Sequence, residues 1–236
     1  MNPTIEILHQ IQGASRARGI AVVIDVLRAF STACYLAAAG VGHIWATSDR
    51  ASALRVAQTH GPAVLVGERR GRRIPGFDLG NSPSRLCGMS LADRTVIFTT
   101  SNGTRGLAAA CAADEILAGS FVNAGALVAY LRGRRARHVS LVCMGSGGRP
   151  ALEDTLCALY LRAALLHRPL SFPLLRAAIV RGSGAAAFMR GDCPDMPLQD
   201  LALCLAIDRF DFVLRAVRNP AGLIALERVT APAAGS

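Results

Sequence analysis

Apolar positions along this chain fall into two rhythms that take turns. Short runs rich in β-branched residues, such as Ala21-Val22-Val23-Ile24 and Ala63-Val64-Leu65-Val66, are followed by Ala- and Leu-rich segments of helical length. The runs predict strands at residues 19–24, 43–46, 63–66, 95–100, 115–118 and 138–143. The segments between them predict helices at 28–39, 50–59, 104–112, 122–132 and 152–166, the last being the longest. Strands this apolar suit a sheet covered on both faces, and their regular alternation with helices predicts largely parallel pairing.

The rhythm changes after about residue 167. A helical stretch at 171–189 is broken by Arg181-Gly182-Ser183-Gly184, another helix is predicted at 198–205, and strands at 210–217 and 223–229 form a hairpin around Asn219-Pro220-Ala221-Gly222. No Pro/Ser-rich linker and no internal repeat divides the 236 residues. The expectation is one α/β domain spanning 1–236, with a largely parallel or mixed sheet, a C-terminal hairpin and a frayed tail at 231–236.

Composition narrows the function classes. The net charge is +10, and all 26 basic residues are Arg. A chain without Lys cannot form a lysine Schiff base. Nucleic-acid binding calls for basic residues interleaved with aromatics to stack on, yet aromatics are 5% and Arg132-Gly133-Arg134-Arg135-Ala136-Arg137 contains none. That tract reads as the end of a helix, and no nucleic-acid partner is expected. No apolar run approaches the roughly 20 residues that cross a bilayer, and the first residues lack a basic segment followed by an apolar one. A cytoplasmic protein without a membrane partner is expected. The seven cysteines stand singly and the histidines form no ligand pair, which argues against a zinc site or redox dithiol. High apolar content with Ala/Leu-rich helices makes a homo-oligomer a reasonable expectation.

The polar residues gather where the predicted strands end, the usual place for ligands in open α/β sheets. Asp25-Val26-Leu27-Arg28 follows the first such run. Residues 67–82, Gly-Glu-Arg-Arg-Gly-Arg-Arg-Ile-Pro-Gly-Phe-Asp-Leu-Gly-Asn-Ser, bring four glycines, two carboxylates and four arginines together. Thr99-Thr100-Ser101-Asn102-Gly103-Thr104-Arg105 places hydroxyls and a turn ahead of a helix, and Gly145-Ser146-Gly147-Gly148 precedes Glu153 and Asp154. Glycine lets backbone N–H groups approach a ligand, arginine forks match phosphate and carboxylate oxygens, and carboxylates suit a hard cation such as Mg²⁺. An anion site with a metal follows, and phosphoryl transfer suits it because positioning and charge neutralisation carry most of that catalysis. Each block also has a plainer reading, as a helix cap or a solvated loop.

Taken together and in order, these blocks resemble the 2-phosphosulfolactate phosphatase family. The resemblance rests on Asp25-Val26-Leu27-Arg28-Ala29, Gly67-Glu68-Arg69, Pro75-Gly76-Phe77-Asp78-Leu79-Gly80-Asn81-Ser82-Pro83, Thr99 to Arg105, Gly119-Ser120-Phe121-Val122-Asn123, Leu152-Glu153-Asp154 and Asp208-Arg209-Phe210-Asp211, from about residue 20 to about 217. It implies an α/β fold of its own type and a Mg²⁺-dependent phosphoric monoester hydrolase. The reaction it implies converts 2-phospho-3-sulfolactate to 3-sulfolactate and phosphate, a step of coenzyme M synthesis. Two positions depart from the family pattern: Arg73, after Arg72, stands where a lysine is usual, and Ser101 stands where a third threonine is usual.

The expected catalytic residues are Asp25, Arg28, Glu68 and Asn102, with Asp25, Glu68, Glu153 and Asp154 as metal ligands. Substrate contacts are expected from Arg69, Arg72, Arg73, Asp78, Asn81, Ser82, Thr100, Gly103, Thr104, Arg105 and Gly147. The partner is a small anionic phosphorylated substrate. The attacking group is left open between a metal-activated water and a carboxylate such as Asp25. A phosphatase of another phosphorylated hydroxy acid and a non-catalytic binder of an anionic metabolite remain as alternatives.

Overall fold

The computed structural model describes residues 3–230, and within them the alternation of apolar runs becomes ten strands and ten α-helices. The expected tail at 231–236 lies outside the described residues. The first half of the chain comprises β1 (Thr4–His9), α1 (Gln10–Ala14), β2 (Ile20–Ile24), α2 (Ala29–Ala38), β3 (His43–Thr47), α3 (Arg50–Thr59), β4 (Ala63–Arg69), β5 (Arg72–Arg73), α4 (Pro83–Leu86), β6 (Thr95–Thr99) and α5 (Gly103–Ala109). The second comprises β7 (Glu115–Gly119), a 3₁₀ turn at Phe121–Asn123, α6 (Ala124–Gly133), β8 (His138–Cys143), α7 (Leu152–Leu165), α8 (Phe172–Arg181), α9 (Ser183–Met189), α10 (Leu198–Cys204), β9 (Phe212–Arg218) and β10 (Ile224–Thr230).

The strands form one mixed sheet in the order β1-β8-β2-β7-β9-β10-β3-β6-β4-β5. Two parallel blocks, β1-β8-β2-β7 and β3-β6-β4, flank the antiparallel hairpin β9-β10. The sheet is therefore mixed, and the hairpin lies at its centre. Two antiparallel steps at the hairpin and a third at β3 leave the blocks running in opposite senses. Side chains of β2 and β6 nonetheless meet in one core, so the sheet is coiled upon itself, and the loops after β2 and β8 share a cavity with those after β4 and β6.

Period-2 alternation assigns the layers. Ala21 and Val23 of β2 face a core shared with Val96 and Phe98 of β6, and α2 and α5 are packed within it. Ile20, Val22 and Ile24 face the opposite way, toward α6 and α7. Ile97 of β6 turns outward to Ala53 and Val56 of α3. Its position explains the composition of α2: eight of its ten residues are buried, as expected of a helix apolar on every side.

Strand β1 and the short α1, α4 and β5 were not foreseen. β1 shows only the alternation Ile5, Ile7 around Glu6 and pairs on one side, with β8. α4 has a single turn beginning at Pro83, too short for any periodicity to register. Among the described residues no helix is long and apolar enough to cross a membrane.

Asp49 caps α3, accepting hydrogen bonds from Ser52 N and Ser52 Oγ at 2.8 Å each. These bonds hold its carboxyl down at about 2. Asp49→Ala is expected to cost about 1 kcal/mol at neutral pH, measured by urea denaturation. The folded-state value lies below the unfolded one of about 3.9, so the contribution is complete above that pH and is lost as pH falls through about 2. A difference between variant and native that persists unchanged below pH 2 would refute the capping account.

Candidate active site

The loops that leave β2, β4, β6 and β8 enclose one cavity of about 850 Å³, with Ala187, Arg190 and Met196 from the α9–α10 region closing a further side. Buried carboxylates hold these loops together. Asp154, in the first turn of α7, accepts Val26 N at 2.9 Å on one oxygen and Gly145 N at 2.8 Å on the other, tying the β2 loop to the β8 loop. Glu68, at the end of β4, accepts Gly71 N at 2.7 Å on Oε2 and Ser101 N at 2.6 Å on Oε1, with Ser101 Oγ at 3.1 Å. It thereby ties its own loop to the β6 loop. An acid removed from water demands such donors.

Asp25 differs from these two. Its Oδ1 accepts Ala29 N at 3.1 Å, and its Oδ2 lies against Gly103 in a cavity-lining position. Burial, with the charges of Glu68 and Glu153 nearby, pushes its carboxyl up to about 7. Burial likewise raises Asp154 well above its ordinary value, with Asp25 and Glu153 adding to the effect, and burial raises Glu153 too. Glu153 sits behind the cavity wall with its carboxylate against Gly184. The region therefore concentrates carboxyl groups whose ionisation burial disfavours.

Five arginines line the same cavity: Arg28, Arg69, Arg70, Arg105 and Arg190. Arg69 is held by Glu68 O, Ser48 O and Thr99 Oγ1 at 2.8, 3.1 and 3.0 Å. Arg70 and Gly71 form the two-residue turn between β4 and β5, both with positive φ as such hairpins require. Among the described residues neither Arg70 nor Arg105 makes an ion pair, whereas Arg190 lies 3.2 Å from Asp192. The guanidinium of Arg28 bonds Asp200 in α10 at 2.8 Å, with both side chains buried.

Of the residues expected at the site, Asp25, Arg28, Glu68, Arg69, Asn81, Asn102, Arg105 and Gly147 line the cavity. Others serve its walls. Arg73 donates to Phe77 O and Asp78 O at 2.7 and 3.3 Å, and Asp78 accepts Leu65 N at 2.8 Å, so both brace the loop along β4. Arg72 is exposed on β5. Thr100 and Thr104 accept each other's backbone N–H at 3.1 Å and close the turn before α5. Ser82 is buried and donates to Asp200 at 2.9 Å. Gly103 forms the floor beside Asp25. Sequence reasoning passed over Arg70, Arg190 and Asp200. A lone acid within Leu198-Gln199-Asp200-Leu201 was the available signal for Asp200.

Whether these groups suit a divalent cation depends on which oxygens remain available. Among the described residues no cluster of three or more His, Cys, Asp or Glu is arranged as a metal site. Of the ligand set expected above, Asp25 and Glu68 line the cavity, whereas Glu153 and Asp154 stand outside its lining. Mg²⁺ needs only one or two carboxylates, with water and substrate oxygens filling the rest of its shell. Asp25 meets that need. Asn81 Oδ1 is buried without a hydrogen-bond partner and its residue lines the same cavity, supplying a neutral oxygen that lacks a positive partner. One acid and one amide oxygen fit the cation.

Fold and site together define an α/β protein with an arginine-lined cavity built from strand-end loops. A family model described as 2-phosphosulpholactate phosphatase matches residues 5–191, and the chain belongs to that family. A probable 2-phosphosulfolactate phosphatase of Deinococcus radiodurans is 40% identical over 140 residues, covering 59% of this chain and 58% of that protein. One of Caldicellulosiruptor saccharolyticus is 39% identical over 144 residues, covering 59% and 60%. One of Synechococcus sp. (strain JA-2-3B'a(2-13)) is 34% identical over 220 residues, covering 84% and 88%. The chain thus spans about three fifths of the first two relatives and most of the third.

A Cβ at position 103 would stand 2.8 Å from Ala29 Cβ and 3.0 Å from Asp25 Oδ2. Gly103→Ala is expected to destabilise the protein by about 1–3 kcal/mol through overpacking, measured by chemical denaturation. Unchanged stability would show that the floor of the cavity yields.

Proposed function

We propose that this protein hydrolyses 2-phospho-3-sulfolactate to 3-sulfolactate and phosphate, with Mg²⁺ as cofactor. The observation that carries the reading is the convergence of five arginines and Asp25 on one cavity. The substrate bears a phosphate, a sulfonate and a carboxylate, and planar guanidinium forks are suited to all three. Family membership and the names of the relatives point to the same phosphate monoester. The reading includes the coenzyme M pathway as the reaction's setting and the cytoplasm as its location, where the seven unpaired thiols stay reduced.

Asp25 and Asn81 would hold Mg²⁺. When bound, the cation supplies charge neutralisation at the phosphoryl oxygens and a water of lowered pKa. The chain's own residues do the positioning. Arg28 and Arg69, both fixed by hydrogen bonds, present oriented donors, while Arg70 and Arg105 bring charge that no acid among the described residues pairs. Asn102 and the glycine-rich 145–148 loop face the same space. Hydrolysis breaks the bond between phosphorus and the ester oxygen; water supplies the new oxygen on phosphorus and, in net terms, the proton on the released hydroxyl.

Phosphate release from a panel of phosphorylated hydroxy acids, with Mg²⁺ and with EDTA, tests the reading. Turnover that depends on Mg²⁺ and is strongest on 2-phosphosulfolactate is expected. Strongest turnover on another panel member would transfer the assignment to that substrate, and no release at all from folded protein would leave a binding protein. Asp25→Asn is expected to lower turnover more than tenfold, about 1.4 kcal/mol or more in barrier. The same variant should lose the rise in melting temperature that Mg²⁺ gives the native protein through preferential binding to the folded state. A variant that keeps both would remove Asp25 from the site.

A further inference from the structure

The stretch matched by the family model ends at residue 191, yet a residue beyond it enters the construction of the site. Asp200 of α10 is fully buried. Its Oδ2 accepts Arg28 Nη1 at 2.8 Å, and its Oδ1 accepts both Ser82 Oγ and Ser84 N at 2.9 Å. One carboxylate therefore fixes the first residue of the α2 entry and the segment directly after Asn81. We propose that Asp200 is a positioning residue for the phosphoryl site, acting through Arg28. This inference rests on the phosphatase reading above.

The donor count supports it. A guanidinium carries five N–H donors. Arg28 Nη1 uses both of its hydrogens, on Asp200 and on Asp195 O, and Nη2 uses one on Gly71 O at 3.1 Å. The fork is thus locked, and two donors, one on Nη2 and the Nε–H, remain for a ligand at the cavity wall. Phe188 lies beneath the guanidinium, with Cζ 5.6 Å from the ring centre. A guanidinium whose side chain is only 3% exposed stays there because a paired anion offsets its desolvation. Without Asp200 it would be a buried, uncompensated charge and would swing toward water. Exposed Arg105 must be ordered when substrate binds; Arg28 is ordered beforehand, which lowers the entropic cost of binding.

Asp200→Asn separates this role from simple scaffolding. The amide keeps one oxygen for Ser82 and Ser84 but sets an NH₂ donor against Arg28 Nη1. Isothermal titration with inorganic phosphate is expected to show affinity at least tenfold weaker in a protein that still unfolds cooperatively, with a matching rise in KM for the phosphoester. In an Arg28→Met background the Asp200 substitution should weaken phosphate binding no further. If Asp200→Asn fails to fold, the apolar pair Arg28→Met/Asp200→Leu replaces it, since exchanging a buried ion pair for apolar residues often preserves stability. That pair should fold, bind phosphate at least tenfold more weakly than native, and match Arg28→Met alone. Phosphate affinity within twofold of native in Asp200→Asn, or an Asp200 effect that persists after Arg28 is gone, would overturn the proposal. Native protein that binds phosphate but hydrolyses no ester would refute the phosphatase reading, while the same titrations would still decide whether Asp200 acts through Arg28.

Discussion

The site depends on one interaction repeated at several points: a buried carboxylate that accepts donors from two different loops. Asp154 joins the β2 and β8 loops, Glu68 joins the β4 and β6 loops, and Asp200 joins Arg28 to the start of α4. A loop rich in glycine has no rigidity of its own. Here rigidity comes from acids that have no water to turn to, so each loop must keep its N–H groups in place for the carboxylate to remain buried. The arrangement yields a cavity whose walls are fixed although its lining residues belong to irregular segments. Asp25 sits among these links, with Oδ1 on Ala29 N and Oδ2 beside Gly103 at the cavity.

The sheet makes this possible. Four of the loops come from two blocks that run in opposite senses, and the coiling that sets β2 and β6 about one core brings their ends together. Close packing then demands small residues at the junction. Gly103 faces Asp25 and Ala29, and Gly67 faces the end of β6. The cavity is therefore a product of sheet geometry first and of loop chemistry second.

This ordering explains what could be read from the chain. β2, β3, β6, β7 and β8 lie within a residue or two of the runs that predicted them, because a strand buried on both faces is written as a continuous apolar run. The terminal hairpin was legible from its turn, but its place between the blocks was not, since its pairing partners on β7 and β3 lie about a hundred residues away or more. At the site, Asp25 and Glu68 were legible because each ends an apolar run. The four arginines of residues 69–73 could not be sorted, because the positive-φ turn at Arg70-Gly71 decides which of them face the cavity. Asp200 was out of reach for the same reason as the hairpin: its partners Arg28, Ser82 and Ser84 lie far away along the chain.

The central position of β9 and β10 has a consequence for how the chain is made. During synthesis the two parallel blocks emerge with their pairing edges on β7 and β3 open, and the strands that fill the gap are the last of those described. Each block can begin to collapse around its own helices, but no continuous sheet exists until the hairpin arrives. Completion of the sheet is governed by contacts of long sequence separation and is slow for that reason. Until then the edges of β7 and β3 that the hairpin will cover stay unsatisfied.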